Sequence, residues 1–213
     1  MTEELFLRDA YLKEFEARVV DLRGREVVLD RTAFYPGGEG QPPDRGMLGI
    51  GPVRAAVVDV RREWSEIVHV LDRPIPRTVS ELRGELDWER RYSHMRYRTA
   101  LYVLSAVLSR EFEARIEGGR IRAGWARLDF SPRGRWTVEM VEERTNEVLA
   151  EDRPVRVRWL RRGDVARMVE VEGFGARVDG GTHVANTREV GRVEITSCRS
   201  RGVRRGRLEF VLE

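Results

Sequence analysis

The chain of 213 residues has few of the side chains that usually hold metals or form cross-links. It contains one cysteine, Cys198, and three histidines, so an internal disulfide and a multi-cysteine metal cluster are excluded. No apolar run approaches the roughly 18 residues of a membrane span, and no basic segment leads into an apolar stretch at the N-terminus. A cytoplasmic protein with no membrane partner is therefore expected.

Lysine is also nearly absent, because Lys13 is the sole lysine among 39 basic residues. The formal net charge is only +3. Arginine suits phosphate, since its planar fork donates two hydrogen bonds at once, but surface ion-pair networks are also rich in arginine. The arginine-rich segments at 156–162 and 199–207, with Arg204 and Arg205 among them, are candidates for phosphate contact. The alternative is that these arginines pair with nearby Asp and Glu.

The first 85 residues show strand patterns. Apolar segments at 15–20 and 27–29 flank a turn at Arg23-Gly24 and predict a hairpin, and 54–60 and 67–71 predict two further strands. Glycine and proline around 36–52 predict loops of a small barrel. His69 falls within a strand, where a packed histidine is expected rather than a metal ligand.

The pattern changes near Asp87, a candidate N-cap. Residues 88–112 lack glycine and proline and predict a helix; a second helix is predicted over 136–150. Further strands are predicted over 120–130 and over 155–159, where Val157 and Trp159 are expected to be half-buried. A closing hairpin is predicted from strands over 192–198 and 205–212. Cys198 is expected to be partly buried in the first of these two strands. The predicted class is α+β, with a β-barrel-like domain over 1–85 and an α/β domain over 86–213 whose helices pack on an antiparallel sheet.

Three motifs far apart in the chain carry polar residues typical of a reactive site. They are Pro36-Gly-Gly-Glu-Gly-Gln41, Arg98-Thr-Ala-Leu-Tyr102 and Asp179-Gly-Gly-Thr-His183. Residues four apart on a helix share one face, so positions 98 and 102 point the same way. Taken alone, the first motif is equally a turn between strands, because glycine is usual where φ must be positive.

In their order along the chain, these motifs and their flanks resemble the editing domain of alanyl-tRNA synthetase and the free-standing AlaX proteins. The resemblance extends over nearly the whole chain and does not include a synthetase's catalytic domain. Glu39 interrupts the glycines that precede the glutamine in the family. The flanks that carry the resemblance are 30–36, 41–46, 91–96, 103–104, 146–147, 154–157, 184–187 and 189–191, and Arg188 departs from the family pattern.

The resemblance implies a zinc site, held in the family by His-x-x-x-His on a helix and by Cys-x-x-x-His. The four positions here are Arg98, Tyr102, Asp179 and His183, so three of the four ligands are substituted. Arg98 has no lone pair to offer, and Tyr102 would have to ionise from a pKa near 10. His183, Asp179 and His94 are weak remaining ligand candidates, and no metal cofactor is expected.

A buried ion pair is expected in place of the metal. Arg98 and Asp179 restore the positive and negative charges of a zinc ion and its thiolate, and a paired guanidinium and carboxylate satisfy each other's hydrogen bonds. The alternative is that both side chains face solvent.

The resemblance implies that the chain hydrolyses the ester in alanine tRNA mischarged with serine or glycine. The catalytic candidates are His183, which would position or deprotonate water, Thr99, and Arg98, which would stabilise the oxyanion. An inactive tRNA-binding homologue and a hydrolase of another small ester are the alternatives. The candidates for substrate binding are Gly37, Gly38, Gly40, Gln41, Gly180, Gly181 and Thr182, with the N–H groups of Gly180 and Gly181 as further oxyanion donors.

Overall fold

The computed structural model describes residues 1–133, 135–162, 164–200 and 205–213, without the side chains of residues 161, 162, 164, 165 and 200. The chain forms two compact units. The first comprises Met1–Gly38 and Pro42–Tyr92, and the second Glu39–Gln41 and Ser93–Glu213. The α+β class predicted from the sequence is confirmed. In the described part of the chain, no helix is both long and apolar enough to cross a membrane.

The first unit is a closed barrel of six antiparallel strands. The barrel order is β2-β3-β7-β6-β5-β8, and two short strands, β1 and β4, pair in parallel beside it. The predicted hairpin turns at Gly24, whose φ is +65°. The strands of this unit are β1 (Glu3–Glu4), β2 (Glu14–Arg23), β3 (Glu26–Leu29), β4 (Arg31–Thr32), β5 (Gly46–Ile50), β6 (Val53–Glu63), β7 (Glu66–Leu71) and β8 (Glu81–Leu86).

Strand β5 corrects the prediction that the whole segment 36–52 is loop. Glycine is needed in β5 because the backbone of β8 approaches it closely: a Cβ on Gly46 would lie 2.1 Å from the Glu85 carbonyl oxygen. On either side of it, β6 and β8 pair with it in register. Glycine in this segment therefore marks a crowded strand as well as a turn.

A buried ion pair fixes the loop that leads into β5. The Asp44 carboxylate accepts hydrogen bonds from the Tyr35 N–H at 2.7 Å and from Arg91 Nε at 2.9 Å. Arg91 also donates to the carbonyl oxygens of Ala10 and Ala33, at 2.9 and 2.5 Å. Asp44, which belongs to a sequence flank shared with the AlaX family, thus has a structural role in the first unit.

The second unit contains two antiparallel sheets, of order β14-β15-β10-β9 and β11-β12-β13. Helix packing on the first sheet is as predicted: the Tyr97 and Phe210 rings lie 5.9 Å apart, and the Asn146 amide exchanges two 2.8 Å hydrogen bonds with the Val193 backbone. The elements are α1 (Trp88–Glu111), which enters this unit at Ser93, β9 (Arg115–Arg122), β10 (Trp125–Ser131), α2 (Val138–Ala150), β11 (Val155–Arg162), β12 (Asp164–Val171), β13 (Gly175–Val178), β14 (Val193–Ser200) and β15 (Gly206–Leu212).

Both predicted helices are present. The Asp87 carboxylate accepts the Arg90 N–H at 3.1 Å and caps α1. The second helix begins at Val138 rather than 136, because the Thr137 hydroxyl caps it by accepting the Met140 N–H.

Three strand predictions need correction. The segment 120–130 holds parts of two strands, β9 and β10, which turn at Gly124 with φ +77°. Val157 and Trp159 are exposed, at 39% and 46%, where a half-buried face was expected; alternation identifies a face but not a covering layer. Cys198 lies in β14 of the predicted closing hairpin, but it is exposed rather than partly buried.

His69 is packed in the barrel, as predicted. It is buried, with Nε2 2.8 Å from the Thr32 hydroxyl and Nδ1 3.1 Å from the Val27 carbonyl oxygen. Burial lowers the pKa of His69 to about 4.

This lowered pKa predicts a loss of stability in acid. Between pH 6.5 and about 4, the unfolded chain binds a proton at His69 that the folded chain does not, so the free energy of unfolding should fall as the pH drops through this window. The expected loss is on the order of 3 kcal/mol. Urea unfolding at a series of pH values should show a shallower decline for His69→Gln than for wild type. Equal slopes would contradict a buried neutral histidine.

Candidate functional site

The candidate site lies in the second unit, where the three sequence motifs meet. Arg98, Thr99 and Tyr102 come from the middle of α1, residues 179–183 form the loop that follows β13, and Glu39–Gln41 form a separate segment. The residues that contact one another there are Glu39, Gln41, Arg98, Thr99, Tyr102, Arg167, Arg177, Asp179, Gly180, Gly181, Thr182 and His183.

Arg98 and Asp179 form the ion pair expected from the sequence. Both are buried, and Arg98 Nε and Nη2 donate to Asp179 Oδ1 at 3.1 and 2.7 Å. The same oxygen accepts the Gly181 N–H at 2.8 Å. Burial would raise the pKa of Asp179, but hydrogen bonds and charge interactions with His183 and Arg98 outweigh it and hold that pKa well below its usual range. Asp179 is therefore an anion at neutral pH.

Glu39 is a second anionic partner of Arg98. Its Oε2 accepts Arg98 Nη2 at 2.8 Å and the Gly180 N–H at 3.0 Å, and its backbone carbonyl accepts Arg98 Nη1 at 2.5 Å. Glu39 has φ +48°, a conformation that favours glycine, and its side chain is 55% exposed. In the sequence Glu39 is visible only as an interruption of the glycines, and this role was not predicted from it. The available signal was that Glu39 and Arg98, two residues of opposite charge, both depart from the family pattern in motifs of the same site.

His183 is held between a hydroxyl and a carboxylate. Its Nδ1 lies 3.1 Å from the Thr99 hydroxyl and its Nε2 lies 3.3 Å from Asp179 Oδ1. Burial lowers the pKa of His183, and Asp179 opposes this only in part. The ring is therefore neutral at pH 7 and can hold a proton on either nitrogen. Thr99 and His183 are both buried, and the Thr99 oxygen also accepts the Val184 N–H at 3.3 Å.

Tyr102 is a neutral phenol within the same cluster. Burial raises its pKa, and its hydroxyl donates to the Val169 carbonyl oxygen at 3.2 Å. The ring meets His183 edge-on at 6.0 Å between centroids, and the Arg177 guanidinium lies 4.3 Å from its centroid.

Two further arginines support the loop after β13. Arg167 is buried and donates to the carbonyl oxygens of Asp179 and Gly181 at 2.7 and 2.9 Å. Arg177 Nη2 lies 3.6 Å from Asp179 Oδ2. Neither contact was predicted from the sequence. A signal for Arg167 exists in the alternation of β12, where it shares a face with the buried Val169 and Val171.

Gln41 ties its segment to the loop. Its amide donates to the Thr182 hydroxyl at 2.9 Å and accepts the Thr182 N–H at 3.1 Å, and both residues are buried. Two glycines are required by close approach: a Cβ on Gly181 would lie 2.7 Å from Arg98 Nε, and one on Gly40 would lie 2.1 Å from a backbone oxygen. Gly37 and Gly38 have φ values of +73° and +131° and belong to the first unit; their contact with substrate stays a prediction.

The residues present do not fit the zinc ion that the resemblance implies. Of the four corresponding side chains only Asp179 and His183 can ligate, and Asp179 Oδ1 already accepts Arg98 and the Gly181 N–H. Tyr102 is neutral, and His94 is buried on α1 one turn before Arg98. Within residues whose placement is described, no group of three or more His, Cys, Asp or Glu side chains could hold a metal.

The arginine-rich segments are partly neutralised. Arg156 and Arg158 of β11 pair with Glu172 and Glu170 at 2.6 and 2.8 Å on an exposed surface. In the other segment, Arg205 pairs with Glu117 at 3.7 Å and Arg207 with Asp129 at 2.5 Å. Pairs between exposed side chains, such as Arg156 and Glu172, contribute little stability. Arg204 and the side chains of Arg161 and Arg162 lie outside the described residues.

The chain is similar to a protein family over part of its length and to individual proteins over its whole length. The family described as "Threonyl and Alanyl tRNA synthetase second additional domain" matches residues 166–207, which include β13 and the loop at 179–183. The matched segment lies within the second unit.

Full-length relatives identify the family. The chain is 36% identical to "Alanyl-tRNA editing protein AlaX-M" of Saccharolobus solfataricus over 236 residues, with both chains covered completely. It is 34% identical to the AlaX-M protein of Methanosarcina barkeri, covering 100% of this chain and 99% of the relative. It is also 36% identical to "Alanine--tRNA ligase" of Pyrococcus abyssi, over 91% of this chain and 24% of the ligase. The chain therefore belongs to the AlaX family of alanyl-tRNA editing proteins.

The buried ion pair predicts strong coupling between Arg98 and Asp179. Removing one partner strands the other charge, so Arg98→Ala and Asp179→Ala should each lower the free energy of unfolding by about 3–5 kcal/mol. The double variant should lose less than the sum of the two, as measured by chemical denaturation. Glu147→Ala, which removes an exposed partner of Arg144 at 2.8 Å, is the control and should cost at most about 1 kcal/mol. Additive losses at 98 and 179 would rule out the pair as a unit.

Proposed function

We propose that this chain is a trans-acting aminoacyl-tRNA deacylase that hydrolyses the ester linking serine or glycine to alanine tRNA. The names of its full-length relatives support alanyl-tRNA editing as the process. The observation that carries the proposal is the convergence of Arg98, Thr99 and His183 with the Gly180 N–H, in a chain that aligns end to end with AlaX-M proteins.

We further propose that the chain uses no zinc. The Arg98 guanidinium supplies a fixed positive charge, and Asp179 supplies the negative charge beside it. A guanidinium stays protonated at any working pH, so this charge does not depend on metal supply.

The proposed chemistry is attack by water on the ester carbonyl carbon. The C–O bond to the ribose then breaks, and the ribose oxygen leaves with a proton. Negative charge develops on the carbonyl oxygen, and Arg98 Nη2 and the Gly180 N–H are donors suited to it. His183 is the candidate proton acceptor because its ring is neutral, and its Nδ1 faces the Thr99 hydroxyl.

The alternative is a homologue that binds tRNA without hydrolysing the ester. The burial of Thr99 and His183, at 0% and 5% exposed, favours it, because a catalytic base has to reach water. A deacylation assay separates the two functions.

The proposed activity has a direct assay. Purified protein incubated with serine- or glycine-charged alanine tRNA should release the amino acid faster than the uncatalysed reaction and leave alanine-charged tRNA intact. EDTA should leave the rate unchanged, and elemental analysis should find far less than one zinc per chain. A folded His183→Ala variant should be slower by on the order of 10²-fold or more. Bound tRNA without ester release would establish the inactive alternative, and chelator-sensitive activity with one zinc per chain would refute the metal-free site.

The proposed partner is alanine tRNA, bound in part through β11. Replacing Arg156 and Arg158 together by alanine should weaken tRNA binding and reduce the dependence of log K on log salt by about 1–2 units. Arg73→Ala is a matched control, since Arg73 forms an exposed pair with Asp72 at 3.0 Å. Filter-binding or fluorescence titrations at several salt concentrations measure both quantities. An unchanged salt slope would exclude β11 as a phosphate-contacting surface.

A further inference from the structure

One oxygen atom in the site is held by two donors of different kinds. Glu39 Oε2 accepts the charged guanidinium of Arg98 at 2.8 Å and the neutral Gly180 N–H at 3.0 Å. A guanidinium and a backbone amide that converge on one point form a receptor for an anionic oxygen. In this structure the oxygen is supplied by the chain itself.

The neighbouring amides are satisfied by side chains that are fixed in place. The Gly181 N–H donates to Asp179 at 2.8 Å and the Thr182 N–H donates to Gln41 at 3.1 Å. Asp179 and Gln41 are 2% and 3% exposed, whereas the Glu39 side chain is 55% exposed. Among the side chains that accept hydrogen bonds from this loop, Glu39 is therefore the one whose carboxylate can move into water easily, because it is already largely solvated.

We propose that Arg98 Nη2 and the Gly180 N–H form an oxyanion-binding subsite, and that Glu39 occupies it as an internal ligand which an incoming carbonyl or carboxylate oxygen must displace. The contact is autoinhibitory: the subsite accepts an external oxygen only in molecules whose Glu39 carboxylate has moved away.

Departure of Glu39 does not strand Arg98. The guanidinium keeps its two hydrogen bonds to Asp179 Oδ1 and its bond to the Glu39 backbone carbonyl, which does not depend on the side chain at 39. Glycine also adopts φ +48° without the steric cost that glutamate has there. Glu39→Gly is thus a variant that removes the internal ligand and retains the site.

Binding of a simple carboxylate tests the subsite without any assumption about catalysis. Sodium acetate, titrated at constant ionic strength with sodium chloride as the other salt, should shift the Gly180 amide signal of Glu39→Gly saturably in ¹H–¹⁵N NMR spectra. Wild type should need roughly tenfold more acetate for the same shift, if about a tenth of its molecules present an open subsite. Glu113→Gly is the matched control, because Glu113 is an exposed glutamate of the same unit with φ +52°, and it should behave as wild type. Equal acetate affinity in all three proteins, or no saturable shift in Glu39→Gly, would overturn the proposal.

Kinetics test the autoinhibition, and this arm rests on the proposed deacylase function. If only about a tenth of molecules present an open subsite, Glu39→Gly should lower KM for seryl-tRNA about tenfold with little change in kcat. Glu113→Gly should leave both constants unchanged. A fall in kcat/KM in Glu39→Gly would overturn the autoinhibition, since Glu39 would then act on the substrate. A positive acetate titration in proteins that lack deacylase activity would retain the subsite and reject the proposed function.

Discussion

A buried guanidinium has to be surrounded by acceptors, because leaving water without replacement partners costs several kcal/mol. Arg98 is 7% exposed and finds its acceptors on two other segments, at Asp179 and Glu39. Those segments are separated from Arg98 by 81 and 59 residues along the chain. One side chain of α1 therefore links the loop at 179–183 to the segment that contains Glu39, and displacement of that loop would break the two hydrogen bonds between Arg98 and Asp179.

The same charge sets the protonation of its neighbours. Asp179 stays ionised among Arg98, Arg177 and the Gly181 N–H. Burial is the main cause of the lowered pKa of His183, and the nearby guanidiniums lower it further by disfavouring another positive charge. The site thus combines fixed charges on Arg98 and Asp179 with a neutral imidazole on His183. In a metal site, the metal ion would supply the fixed positive charge.

Patterns local to the sequence predicted the elements, and opposite charges in two motifs predicted the Arg98–Asp179 pair. Local pattern could not show that the face of β11 carrying Trp159 is exposed, nor that glycine at 46 marks a crowded strand. The alternation of β12 indicates that Arg167 is buried but not what it contacts, because backbone carbonyl acceptors have no signature in the sequence. The role of Glu39 depends on a loop brought close by tertiary folding, so the sequence showed only that a glycine had been replaced.

The contacts that build the second unit explain how the metal position can change while the fold persists. The helices are attached to the sheet by Tyr97 against Phe210 and by Asn146 against Val193, through side chains that are not the ones forming the Arg98–Asp179 ion pair. The glycine at 181 suits a planar guanidinium, because a Cβ there would lie 2.7 Å from Arg98 Nε. A metal held by four ligands needs all four at once, whereas an ion pair needs only two complementary partners. Membership of the AlaX family therefore fixes the scaffold, and the chemistry has to be established from the residues that now occupy the site.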